Sequence, residues 1–183
     1  DGIKRALQNG VRCIEHGQLA DEDAVKMMAD KGAWWSLQPF LADEDSNPKS
    51  NPVQRQQQEE IAKGTVRAYE LTKKHKVKTA WGTDILFNPK GVANQGKQLT
   101  KLSRWFDNAD VLRMATAANG ELLAMSGERN PYRAKVGVIE PGALADVLLV
   151  DGNPLENLAL IADPEPNLKV IMKDGRIFKN TLA

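Results

Sequence analysis

The sequence predicts an α/β fold with parallel strands, followed by a small all-β segment. Three observations carry this. Short apolar, β-branched runs alternate with amphipathic helical stretches through the first 127 residues. Two of those runs, Val11 to Gly17 (VRCIEHG) and Val77 to Asp84 (VKTAWGTD), end beside a glycine in a side chain capable of chemistry. Beyond Gly127 the pattern changes to short strands and tight turns. Strands that alternate with helices build parallel sheets, whereas short strands separated by turn residues build antiparallel ones.

Taken in order, Ile3, Ala6 and Leu7 have helical spacing and Asn9-Gly10 supplies residues that tolerate the left-handed turn ending a helix, so a helix is expected over 3–8. A chain that opens inside a helix reads as cut from something longer. A strand over 11–15 follows, then a helix over 21–31. Asp21, Glu22 and Asp23 lie at that helix's positive end, Lys31-Gly32 closes it, and Ala24, Val25, Met27 and Met28 form its apolar face. After a strand over 33–37, the stretch Leu41 to Gln54 contains Asp43, Glu44, Asp45, Asn47, Pro48, Asn51 and Pro52. It reads as irregular, a loop on the face that carries the site, either a lid or a solvated connection. A helix over 55–75 and a strand over 77–82 complete this alternation.

Ile85 to Gly96, with Asn88-Pro89 and Gly91, reads as irregular, and a helix is expected near 99–106. A stronger helix is expected over 109–125, capped by Asp107 or Asn108 and stopped at Gly127. Its Val111, Leu112, Met114, Ala115, Ala118, Leu122 and Leu123 are expected in the core. Strands are then expected over 136–139, 145–150, 168–172 and 176–179, the last two joined by Asp174-Gly175, a strong hairpin signal. The change of pattern puts a domain boundary near residue 128, dividing the chain into 1–127 and 128–183.

Composition narrows the function. The 183 residues are 42% hydrophobic and 27% charged, an ordinary soluble globular profile, with a formal net charge of +1 and no basic stripe. That gives nucleic acid or an anionic membrane no electrostatic purchase, and no apolar run approaches the roughly 20 residues of a membrane helix. The expected ligand is therefore small. Cys13 is the one cysteine, so this chain has no internal disulfide or thiolate cage, and a buried, inert thiol is expected.

In parallel α/β folds the ligand site lies outside the C-terminal ends of the strands. His16 and Asp84 stand at two such ends, where an imidazole and a carboxylate can bind a metal or move a proton. The plainer alternatives are a structural histidine and a helix-cap or turn aspartate. His75, in Lys73-Lys74-His75-Lys76 at a helix end, reads as a solvated cation. Adjacent strand residues face opposite sides, so one of Trp34 and Trp35 faces the site. Trp35 is carried as a candidate substrate contact beside its packing role, and Gln38 as a candidate substrate contact or loop anchor.

Four segments in order, IEHG at 14–17, GTD at 82–84, ATAANGELLAM at 115–125 and GVIEPGALADVLLVDGNPL at 137–155, resemble the C-terminal part of an amidohydrolase-superfamily enzyme. The nearest types are imidazolonepropionase and Xaa-Pro dipeptidase. The resemblance implies the sixth, seventh and eighth strands of a (β/α)8 TIM barrel, plus strands of a small composite β domain. It implies that His16 matches the metal-ligand histidine after the sixth strand and Asp84 the metal-binding, proton-shuttling aspartate after the eighth. It further implies a divalent cofactor, zinc foremost, as one or two ions, and metal-activated water attacking an amide, cyclic amide or dipeptide C–N bond.

The family's remaining ligands match nothing in this chain, and two ligands fall short of the three protein ligands usual for catalytic zinc. The chain alone is expected to be inactive, and its expected partners are a small amide or dipeptide substrate and the missing N-terminal barrel half. A homo-oligomer is left open, and so is localisation. The alternative function is a noncatalytic amidohydrolase-like scaffold or an inactive fragment.

Overall fold

The computed structural model describes residues 1–182 apart from 44, 45, 47, 48 and 86–88, and at 89 and 90 it describes the backbone alone. Glu44, Asp45, Asn47 and Pro48 of the expected lid, and Asn88, lie outside the described residues. Two compact units form, 1–92 and 93–183. The change from helices to antiparallel strands falls inside the second unit. Among the described residues no helix is long and apolar enough to cross a membrane.

The first unit is α/β. Strands β1 (Cys13–Glu15), β2 (Trp34–Leu37) and β3 (Lys78–Trp81) form a parallel sheet in that order. Cys13, Trp34 and Lys78 share one register level, and Ile14, Trp35 and Thr79 the next. All four residues of the central strand β2 are buried, as its continuous apolar run requires. Helix α1 (Gly2–Gln8) precedes β1, and α2 (Glu22–Asp30) links β1 to β2. Asp21 caps α2 by accepting the Ala24 N–H at 2.8 Å, and Ala24, Val25 and Met28 form its buried side.

Helix α3 (Pro52–His75) links β2 to β3 and starts inside the stretch expected to be irregular. Proline is tolerated in a first helical turn, where its missing N–H would have no partner, and Asn51 accepts from Val53 and Gln54 at 2.9 and 3.2 Å. The helix ends on Lys76 in a left-handed conformation. Its residue Gly64 comes so close to the segment after β1 that an added Cβ would stand 2.7 Å from the Gln18 carbonyl oxygen. Near its other end Lys74 and His75 Nε2 reach Glu22 Oε1 at 2.7 and 2.8 Å. His75 thus contacts Glu22 between α2 and α3 rather than standing free in solvent. Lys74 first, then His75, hold the Glu22 carboxyl down to about 2.

The second unit begins with a 3-10 turn that includes Ala93 and Asn94, then α4 (Gln95–Thr100) and a 3-10 turn, Lys101–Arg104, in place of the single helix expected near 99–106. Its long helix runs as α5 (Asn108–Arg113), a π turn (Met114–Ala118) and α6 (Asn119–Ala124), capped by Asp107. Only Val111 and Met114 of its expected core positions are fully buried, and Leu123 is 40% exposed.

The expected strand over 136–139 does not form. Gly137, at φ +77, packs so tightly on the π turn that a Cβ would lie 2.2 Å from the Thr116 carbonyl oxygen, and Ile139 is 89% exposed. Strands β4 (Val147–Val150), β5 (Leu168–Lys173) and β6 (Arg176–Asn180) form an antiparallel sheet, with short helices α7 (Ala159–Ala162) and α8 (Pro164–Asn167) between β4 and β5. Asp174 and Gly175 both take positive φ, as a two-residue hairpin of this twist demands.

Candidate functional site

The parallel ladder continues one step past the strands. His16 N–H donates to Ser36 O at 3.0 Å and Gly82 N–H to Leu37 O at 3.2 Å. His16 follows β1 directly, Gln38 follows β2, and Asp84 stands three residues after β3 ends. All three therefore lie at the C-terminal edge of one sheet. Neighbouring strands are about 4.8 Å apart, so the ends of β1 and β3 are separated by about 10 Å.

His16 and Asp84 share an uncommon backbone. Four non-glycine residues have positive φ among those described: His16 (59°), Lys76 (52°), Asp84 (51°) and Asp174 (48°). Lys76 caps α3 and Asp174 turns the β5–β6 hairpin. The other two are the candidate ligands at the strand ends, both exposed. A left-handed conformation costs a residue with a Cβ roughly 1–2 kcal/mol and persists where the surroundings impose it, commonly at functional sites.

The surroundings of His16 are built from buried groups. Its Nδ1 lies 2.8 Å from Gln38 Oε1, which also accepts from Gln18 Nε2 at 3.2 Å. Gln18 and Gln38 are each 4% exposed. The Trp35 indole N–H donates to the His16 carbonyl oxygen at 2.6 Å, and Trp35 is 0% exposed. Phe40 stacks on the imidazole with ring centroids 6.3 Å apart and planes 16° from parallel. Trp35 thus lies under the His16 turn, closed to a ligand, and Gln38 is an interior group with its amide oxygen engaged.

Cys13 is half-buried, and burial foremost, then Glu15, pushes its thiol up to about 12, which leaves it a poor nucleophile. Among the described residues no three His, Cys, Asp or Glu side chains gather as a metal site. The donor chemistry of His16 and Asp84 nonetheless fits a divalent ion in part, as one imidazole and one carboxylate at the same sheet edge.

Gln18 and Phe40 were missed by sequence reasoning. Phe40 carries a faint signal, an aromatic two residues past Gln38 in an otherwise polar connection. Gln18 carries none, because its role depends on a partner 20 residues away.

A family model described as amidohydrolase family matches residues 1–178. Ochratoxinase of Aspergillus niger is 26% identical over 183 residues, 97% of this chain and 36% of that protein. The crystal structure of an amidohydrolase superposes with a TM-score of 0.83 at 31% identity, covering 99% of this chain and 43% of that one. A prolidase solved with N-methylphosphonate-L-proline superposes with a TM-score of 0.82 at 29% identity, covering 98% of this chain and 43% of that one. The chain therefore spans less than half the length of these relatives.

Proposed function

The chain belongs to the amidohydrolase family, and from that premise we propose that it forms the last three strand–helix units, strands six to eight, of a (β/α)8 barrel in a metal-dependent hydrolase. Residues 1–127 belong to the barrel in this reading, and 128–183 to a small composite β domain. The reaction is cleavage of an amide, cyclic amide or dipeptide C–N bond. The observation that carries it is the pair of left-handed residues, His16 and Asp84, at the ends of β1 and β3.

His16, through Nε2, and Asp84, through its carboxylate, would hold the metal, with further ligands from the remainder of the barrel. A divalent ion, zinc foremost, supplies a bound water whose pKa is lowered to about 7. Asp84 would accept a proton from the attacking water and return it to the departing amine nitrogen as the C–N bond breaks. Trp35 holds the His16 backbone so that the imidazole stays in place. The similarity to a prolidase solved with a phosphonate-proline ligand makes Xaa-Pro dipeptides the first substrates to try.

The test is elemental analysis and hydrolysis of Xaa-Pro dipeptides, N-acyl amino acids and cyclic amides by the full-length protein, its His16→Asn variant and its Asp84→Asn variant. Zinc in the wild type, lost with His16→Asn, and a rate about 10²–10⁴-fold lower in Asp84→Asn are expected. Full zinc content and full activity in both variants would overturn the reading.

A further inference from the structure

We propose that Gln18 and Gln38 form a relay that fixes His16 as the Nδ1–H tautomer and thereby keeps its Nε2 lone pair open to a metal ion. The inference rests on the reading of His16 as a ligand and adds what prepares it. Gln38 Oε1 is an acceptor only, and it lies 2.8 Å from His16 Nδ1, so that nitrogen must donate. In a neutral imidazole the proton then occupies Nδ1, and Nε2 keeps its lone pair. Neutral histidine in water favours the opposite tautomer, so the surroundings must impose this one.

The relay imposes it through the orientation of the Gln38 amide. Turned over, that amide would set its NH2 against the Gln18 NH2, now 3.2 Å from Oε1, and its oxygen against the Ser36 carbonyl oxygen, to which its Nε2 now donates at 3.5 Å. Two donors facing each other would go unsatisfied in a place that water barely reaches, since both glutamines are 4% exposed. Gln18 is itself held, because α3 passes its carbonyl so closely that only glycine fits at position 64. The Phe40 N–H donates to the Gln38 carbonyl oxygen at 2.9 Å, and the Phe40 ring stacks on the imidazole, which limits its rotation. Gln38 is accordingly a positioning residue, and its amide oxygen is spent on His16 rather than on substrate.

The experiment is long-range ¹H–¹⁵N NMR of the metal-free, histidine-labelled full-length protein at a pH where the imidazole is neutral, with His16 assigned from its loss in His16→Asn. A protonated Nδ1 and a bare Nε2 are expected in the wild type. Gln38→Leu and Gln18→Leu should shift His16 toward the Nε2–H form, and Gln38→Glu, which keeps an acceptor and tests that the site still folds, should restore the wild-type pattern. Zinc affinity, read by competition with a chromophoric chelator, should fall about 10–100-fold in Gln38→Leu. An Nε2–H wild type, or a tautomer indifferent to Gln38→Leu, overturns the relay even where His16→Asn abolishes zinc binding. A tautomer that follows Gln38 while zinc binding ignores His16→Asn overturns the metal role, together with the ligand assignment beneath it.

Discussion

The indole N–H of Trp35 donates to the carbonyl oxygen of His16 at 2.6 Å, so a fully buried ring holds the backbone of an exposed imidazole. The support matters because His16 sits at φ 59°, where a side chain is strained. Trp35→Phe keeps the ring's bulk and removes the donor. The expected outcome is a loss of about 1–3 kcal/mol in urea unfolding, with weaker zinc binding by competition titration. A variant matching the wild type in both would show that the indole N–H holds nothing.

Asp84 tests whether strain is being held for function. Glycine at φ 51° relieves roughly 1–2 kcal/mol of left-handed strain, more than the roughly 0.5–1 kcal/mol that glycine's extra freedom costs. Asp84→Gly is therefore expected to keep or raise the urea midpoint while hydrolysis is lost. A clear fall in stability would sink the idea that the strain at this position is independent of folding.

Glu22 gives a pH dependence with a definite sign. Its carboxyl is lowered to about 2, by Lys74 first and His75 second. A depressed carboxylate stabilises the fold fully above its unfolded value, near 4.3, and the contribution disappears as pH falls toward the folded value. Unfolding midpoints of the wild type should drop between about pH 5 and pH 2 more steeply than those of Glu22→Gln. The pair is exposed, so added salt should shrink the difference. Parallel curves would exclude a linkage role.

Two glycines of similar φ separate strain from crowding. Gly137 (φ +77) would place a Cβ 2.2 Å from the Thr116 carbonyl oxygen, whereas Gly142 (φ +86) has nothing within 4 Å. Gly142→Ala should lose only about 1–2 kcal/mol. Gly137→Ala should lose more than about 3 kcal/mol or fail to accumulate as folded protein, because carbonyl backbone rather than a flexible side chain stands in the way. Equal urea midpoints for the two variants would contradict the close packing of Gly137 on the π turn.

Local signals account for what was legible in the chain. The apolar runs ending near His16, Leu37 and Asp84 marked three strands, Asp21 marked the start of α2, and Asp174-Gly175 marked the hairpin, because each depends on neighbours in sequence. The same reasoning failed where a distant group intervened. Val136 to Ile139 has a strand's composition, yet Gly137 is held by the Thr116 carbonyl and no strand forms. It also failed at Pro52, where proline was read as a breaker and acts as a first-turn residue behind the Asn51 cap.

The sequence by itself determined the alternation of strands and helices, the two chemistry-bearing residues at strand ends, and the family resemblance they carry. A period of two or 3.6 residues and a strand-ending glycine are written in consecutive positions. Only the tertiary structure decided how those residues are prepared. The parallel register of β1 on β2 brings Gln38 to His16 across 22 residues, and the close pass of α3 at Gly64 fixes Gln18 behind it. A tautomer is chosen by whichever group stands at hydrogen-bond distance, and that distance is set by strand pairing and helix packing, which have no local spelling in the chain.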